Sequence, residues 1–262
     1  MGNENKIINE ENMLDSIKHL EQSIKLNPDF AEAHYELALL LNNNNNYKKA
    51  KAHYLKAIEI NNNYSQAHYH LANMLKKKNS YKESKKHYLK AIEIDPDFSI
   101  CHYEFGLLLA KTNERDEAKT HLEKTTDIDQ NFADAYYQLA KILTDPEEFE
   151  KAKKYYLTAI DIDSTHYLAH YYLGKLISKG YQLDKDGSRV SKPEIENAKK
   201  YFQKTISINE NFDKGHYNLA LILMKLKDYE KSKRHFYNAI ELNPKHYKAH
   251  YHLALLLKKI NE

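Results

Sequence analysis

The triplet Ala-His-Tyr stands at 33–35, 67–69, 169–171 and 249–251, its first two copies 34 residues apart. Altered copies, Cys101-His102-Tyr103, Ala135-Tyr136-Tyr137 and Gly215-His216-Tyr217, fill the gaps. A period of that length marks copies of one supersecondary unit, which stack because no single copy can bury its own apolar face. With Ala31 as position one, complete repeats run 31–64, 65–98, 99–132 and 133–166, then a long one at 167–212 and another at 213–246. A partial repeat at 1–30 precedes them and a terminal helix at 247–262 follows. The chain reads as one array over 1–262.

Apolar residues within each repeat recur at helical spacing. Leu37, Leu40 and Leu41 match Leu71, Met74 and Leu75, then Leu139, Ile142 and Leu143. In the second half Tyr47, Ala50, Tyr54, Ala57 and Ile58 match Tyr81, Ser84, Tyr88, Ala91 and Ile92. Each repeat is therefore a pair of amphipathic helices. Small residues form two columns, Ala38, Ala72, Gly106, Ala140, Gly174, Ala220, Ala254 and Ala50, Ser84, Ala118, Ala152, Ala198, Ser232, which mark the line where paired helices approach. Only 6 Gly and 5 Pro in 262 residues argue against a turn-rich β fold.

These columns resemble the tetratricopeptide repeat family, whose unit has a large residue at position 4, Leu at 7, small residues at 8, 20 and 27, an aromatic at 24 and Pro at 32. Here the first repeat reads His34, Leu37, Ala38, Ala50, Tyr54, Ala57, Asn62, and the second His68, Leu71, Ala72, Ser84, Tyr88, Ala91, Pro96. The match runs from about Met13 to Ile260. The resemblance implies an all-α, right-handed superhelical solenoid of about 14 helices. His replaces the family's usual Trp, and Arg115, Thr125 and Thr126 weaken the second helix of the third repeat, which is expected to be the softest.

The partial repeat at the start is expected to supply one helix, roughly Asn12 to Leu26, and the end one first-type helix from Lys248 to about Lys259. Leu253, Leu256 and Leu257 there are unmodified core residues, so this helix either continues a longer array or docks on another chain, end-to-end self-association included. The fifth repeat carries an insertion near 179–192, expected to be a polar loop. Asp186-Gly187 could turn a hairpin within it, and Ser191-Lys192-Pro193-Glu194 reads as a capping box. The Asn42–Asn46 run reads as low-complexity filler at a turn.

No phosphate-cradling, zinc-protease or nucleophile-elbow motif is present, and no nucleophile has an apparent base. An enzyme, a cofactor and a metal are not expected. One histidine per repeat (His34, His68, His102, His170, His216, His250) spaces imidazoles about a helix diameter, roughly 10 Å, apart, too far to share a metal; neutral packing is expected. No apolar run is long enough to span a bilayer, and residues 1–12 lack a signal-peptide core, so a soluble, cytoplasmic protein is expected.

In the family, positions 2, 5, 9, 12 and 13 of the first helices face ligand in a concave groove. Charges at these positions sum to +8 over seven first helices, against +3 for the chain. The resemblance thus gives a peptide-binding set of Tyr35, Tyr69, Asn73, Lys76, Tyr103, Tyr137, Lys141, Tyr171, Lys175, Lys179, Lys214, Tyr217, Lys225 and Tyr251. Tyrosine at every position 5 is compatible with structural packing as well as with ligand contact. The family's carboxylate clamp is absent, since no position 5 is Lys, and so is an asparagine ladder at position 6. The expectation is a noncatalytic scaffold binding an extended acidic protein segment. Single-stranded RNA binding is the first alternative, with three Arg, acidic Glu32, Asp134 and Asp145 counting against it. Recruitment of substrate for an enzyme complex is the other.

Overall fold

The computed structural model describes residues 2–179 and 192–260, with side chains from 12 to 178 and from 193 to 260. The hairpin expected at Asp186-Gly187, the insertion loop and Ser191 of the capping box lie outside the described residues. Fourteen α-helices and no strand occur among those described. They fall into two compact units, 1–128 and 129–262.

The first unit holds α1 (Gly2–Leu26), α2 (Ala31–Asn43), α3 (Tyr47–Ile60), α4 (Ser65–Lys77), α5 (Tyr81–Ile94), α6 (Ser99–Lys111) and α7 (Arg115–Ile128). The second holds α8 (Ala133–Ile142), α9 (Phe149–Ile162), α10 (Tyr167–Lys179), α11 (Lys192–Ile208), α12 (Asp213–Lys225), α13 (Tyr229–Leu242) and α14 (Tyr247–Ile260). Helix α1 starts at Gly2, nearly three turns ahead of Asn12. The segment Asn3–Glu11 has no Gly or Pro to stop it and carries Glu and Lys, which favour helix.

Each first helix packs most extensively on the helix that follows it, α2 on α3, α4 on α5, α6 on α7, and likewise α8/α9, α10/α11 and α12/α13. The small-residue columns make this possible. Ala38, Ala72, Ala220, Ala50, Ala118, Ala152 and Ala198 are fully buried. Where the second column carries serine, the hydroxyl is used: Ser84 donates to the Ala72 carbonyl and Ser232 to the Ala220 carbonyl, both at 2.8 Å. That bond ties the paired helices across their contact line and satisfies a buried hydroxyl. Opposite these columns, Tyr54, Tyr88, Leu122, Phe202 and Phe236 are sealed from solvent.

Second helices end on an Asx turn. The side-chain oxygen of Asn27, Asn61, Asp95, Asp129, Asp163, Asn209 or Asn243 accepts the N–H two residues on, at 2.9–3.3 Å. First helices end differently. Asn45, Asn79, Asn113 and Lys227 adopt φ between 58° and 66°, and the next N–H returns to a carbonyl in the last helical turn, as Asn46 does to Leu41 at 2.8 Å. The asparagine run at 42–46 is thus a helix stop rather than filler, because asparagine tolerates the left-handed region better than other side chains. Lys227 has no such tolerance. Replacing Lys227 by Asn is expected to raise unfolding stability by about 0.5–1 kcal/mol in a urea titration, with no change in slope.

Four histidine pairs join paired helices. Nδ1 to Nδ1 distances are 3.0 Å for His34–His53 and His68–His87, 2.9 Å for His102–His121 and 3.1 Å for His216–His235. The far nitrogen of His34, His102 and His216 lies 3.0–3.1 Å from the carbonyl of Pro28, Pro96 or Glu210. A carbonyl can only accept, so Nε2 carries the proton there, Nδ1 accepts, and the partner histidine donates. A ring that accepts at Nδ1 and donates from Nε2 carries no charge, so His34, His102 and His216 are neutral in this arrangement.

Candidate peptide-binding face

Within each unit, consecutive first helices touch, α2 with α4 and α4 with α6, then α8 with α10, α10 with α12 and α12 with α14. Consecutive second helices stand farther apart by backbone, and α3 reaches α5 through the Lys51–Glu83 ion pair at 2.7 Å. The first helices form the more closely spaced layer, and the residues in question stand on it.

The position-5 tyrosines are built into that layer. Tyr35 lies against Tyr54 of its own pair and Tyr64 at the end of the repeat, with ring centroids 6.3 and 4.9 Å apart. Tyr69 meets Tyr88 and Phe98, Tyr171 meets Phe202 and Phe212, and Tyr217 meets Phe236 and His246 in the same way. Tyr137 packs on Tyr156 and His166. Tyr137 and Tyr171 are buried, Tyr35, Tyr69, Tyr103 and Tyr217 half-buried, and Tyr251 is 61% exposed. Burial pushes the Tyr35 and Tyr171 hydroxyls up to about 12, with neighbouring tyrosines adding to it. They serve as neutral hydrogen-bonding groups: the Tyr171 oxygen accepts from Asn218 at 3.2 Å. Asn73 accepts from the Tyr88 hydroxyl at 2.6 Å and is also hydrogen-bonded to the Tyr69 side chain.

Charge divides unevenly between the units. On the first helices of residues 1–128, Lys76, Lys77 and Lys111 are matched by Glu32, Glu36 and Glu104, and Lys76 forms a half-buried ion pair with Glu104. On those of residues 129–262 and the turn after α8, Lys141, Lys175, Lys179, Lys214, Lys225, Lys248, Lys258 and Lys259 outnumber Asp134, Asp145 and Asp213. Lys141, Lys214 and Lys225 are exposed and Lys175 half-buried; the side chain of Lys179 lies outside the described residues. Two hollows open on these faces. One of about 450 Å³ in the first unit is lined by Asn42, Asn43, His70, Asn73 and the Lys76–Glu104 pair. The other, about 260 Å³, lies in the second unit beside Lys141 and Lys175.

Other chemistry is sparse. Cys101 is buried, and burial pushes its thiol up to about 12, so it is a poor nucleophile. No group of three or more His, Cys, Asp or Glu that could hold a metal occurs among the described residues, and no helix there is long and apolar enough to cross a membrane. The histidines that pair with position 4 were missed in the sequence, though their constant separation of 19 residues was there to find.

Comparisons with known proteins agree with this architecture. Three tetratricopeptide repeat models match, one at 65–98 and 214–246, another at 19–52 and a third at 133–166, together about half of the chain. No curated protein matches. Among solved structures, one described as YrrB, a TPR protein with an unusual peptide-binding site, is 21% identical, with a TM-score of 0.59 over 76% of this chain and 96% of its own. PilF of Pseudomonas aeruginosa is 17% identical, with a TM-score of 0.71 over 86% of this chain and 96% of its own. Yeast Tom70 is 16% identical, with a TM-score of 0.62 over 96% of this chain and 60% of its own. With the paired helices, the two small-residue columns and the aromatic at position 24 all in register, the chain belongs to the tetratricopeptide repeat family.

Proposed function

We propose that the protein is a noncatalytic scaffold that binds an extended acidic protein segment along the first-helix face of residues 129–262. The observation that carries this reading is the charge division: eight lysines against three carboxylates on the first helices and the turn after α8 in residues 129–262, while the first helices of residues 1–128 are balanced. Exposed lysines contribute little singly, but an array of one sign steers an acidic partner and sets its specificity. The half-buried Tyr172 and Tyr217 supply apolar area with polar edges, suited to a peptide backbone. A relative described as having a peptide-binding site supports the general role. Scarce arginine weighs against RNA, and Tyr137 and Tyr171 of this face are buried rather than available for stacking.

Charge reversal tests the reading. In low salt, Lys214→Glu combined with Lys225→Glu should weaken binding of a glutamate-rich peptide roughly ten-fold by isothermal titration. Both side chains are exposed, so the fold is unaffected; an unchanged affinity rejects the face. A second reading, self-association through α14, is favoured by its exposed Tyr247, Tyr251 and Leu255.

A further inference from the structure

Helix α8 is the one first helix that stops short. It has 10 residues where α2, α4, α6, α10 and α12 each have 13. The cause is local. Pro146 disfavours helical backbone at Asp145, which is extended at φ −79° and ψ 144°, and Leu143 has already left the helix at ψ 101°. In place of a left-handed stop, a 3-10 turn at Pro146–Glu148 leads into α9. The missing last turn leaves the 260 Å³ hollow between the end of α8, α9 and α10.

Its walls are apolar and aromatic. Ala140, Leu143 and Leu176 line it with Tyr156 and Tyr172, whose rings lie nearly parallel at 12° with centroids 6.4 Å apart. Its rim is basic. Lys141 Nζ stands 5.7 Å from the Tyr137 ring centre, and Lys175 Nζ stands 5.6 and 5.4 Å from those of Tyr171 and Tyr172. Resting over aromatic faces holds both ammonium groups near the opening. The hollow is smaller than the roughly 300–1,000 Å³ of small-molecule sites, and its rim opens onto the lysine-bearing face of α10.

We infer that this notch is an anchor subsite: it takes one large apolar side chain, best an aromatic one, from the bound segment, while carboxylates beside that side chain on the partner meet Lys141 and Lys175. The inference rests on the reading that this face binds an acidic segment, and it adds a requirement that charge alone does not impose. Apolar walls reject a carboxylate inserted into the notch, and the basic rim rejects a cation beside it. An anchor residue in a desolvated hollow, ringed by charge contacts, is where binding energy concentrates.

The test is fluorescence anisotropy on the full chain with three short fluorescein-labelled peptides of glutamate and serine. One has a central phenylalanine, one a central alanine, and in the third the phenylalanine is kept and every glutamate is replaced by serine. The phenylalanine peptide should bind roughly ten-fold or more tightly than the alanine peptide. Thr144→Trp, on an exposed loop residue at the mouth, should plug the notch and abolish that difference. Lys141→Glu with Lys175→Glu should abolish the preference for the acidic phenylalanine peptide over the serine one. Equal affinity of the phenylalanine and alanine peptides for the native protein overturns the notch but leaves the basic face standing. Failure of both acidic peptides to bind overturns both readings. Far-UV circular dichroism checks that the variants are folded, and the comparison on native protein decides the matter without them.

Discussion

Acidification from about pH 7 to about pH 4 should strip this protein of much of its stability, and the loss should begin well above the range in which carboxylates titrate. Nine of the described histidines, among them His53, His68, His87, His102, His121 and His235, are held below their ordinary value of 6.5. Burial is the first cause in each, and the paired imidazole is the second for His53, His68, His121 and His235. His68, His121 and His235 are lowered to about 4. Because the folded values are depressed, the unfolded chain binds more protons once the pH drops below about 6.5. The stabilisation is therefore complete above 6.5 and is lost as the pH falls toward 4, where the folded rings themselves protonate. Each proton taken up on unfolding steepens the decline by about 1.4 kcal/mol per pH unit. Urea titrations across this range measure the slope. His121→Gln keeps a donor for His102 but cannot ionise, and should reduce the slope by up to about one proton. A flat profile between 6.5 and 4.5 would show that the pairs are not neutral.

The second large effect is expected at Phe202. This ring is sealed in the second unit, and a Cβ placed on Gly174 would sit only 3.0–3.2 Å from three of its carbons. Phe202→Ala removes the ring and leaves a hole between α10 and α11 that the rigid helix pair cannot close, a loss of about 3–5 kcal/mol by denaturant unfolding. Gly174 exists because the ring occupies its side-chain space. Gly174→Ala should therefore destabilise the native protein despite alanine's better helix propensity, and should do less harm when combined with Phe202→Leu. Additive effects in that double-mutant cycle would show that the two positions do not share the space.

What the sequence made legible follows from period and packing. Residues that must be small or large for two helices to meet, such as Ala50, Tyr54 and Ala57, recur at fixed intervals, so the paired helices and their contact line could be read directly. The turns were harder. Asn45, Asn79 and Asn113 occupy one column, yet a run of five asparagines hides the single one whose left-handed backbone ends α2. The histidine pairs were read as half of what they are, because position 4 repeats conspicuously while its partners lie 19 residues away on the other helix. The lysines of the candidate face were visible as a count. Their excess in residues 129–262 could be counted too, whereas the pairing of Lys76 with Glu104 is a matter of three-dimensional neighbours. The notch by α8 has a sequence cause, Pro146, whose consequence appears only when the missing turn is seen against Tyr156 and Tyr172.

Hydrogen exchange with and without a saturating glutamate-rich peptide carrying one phenylalanine tests the central claim most directly, since it reports where the segment lies without any substitution. Slowed exchange on α8, α10, α12 and α14, with α9, α11 and α13 and residues 1–128 unchanged, is the result expected. Slowing confined to the second helices, or to the charge-balanced first unit, would contradict it.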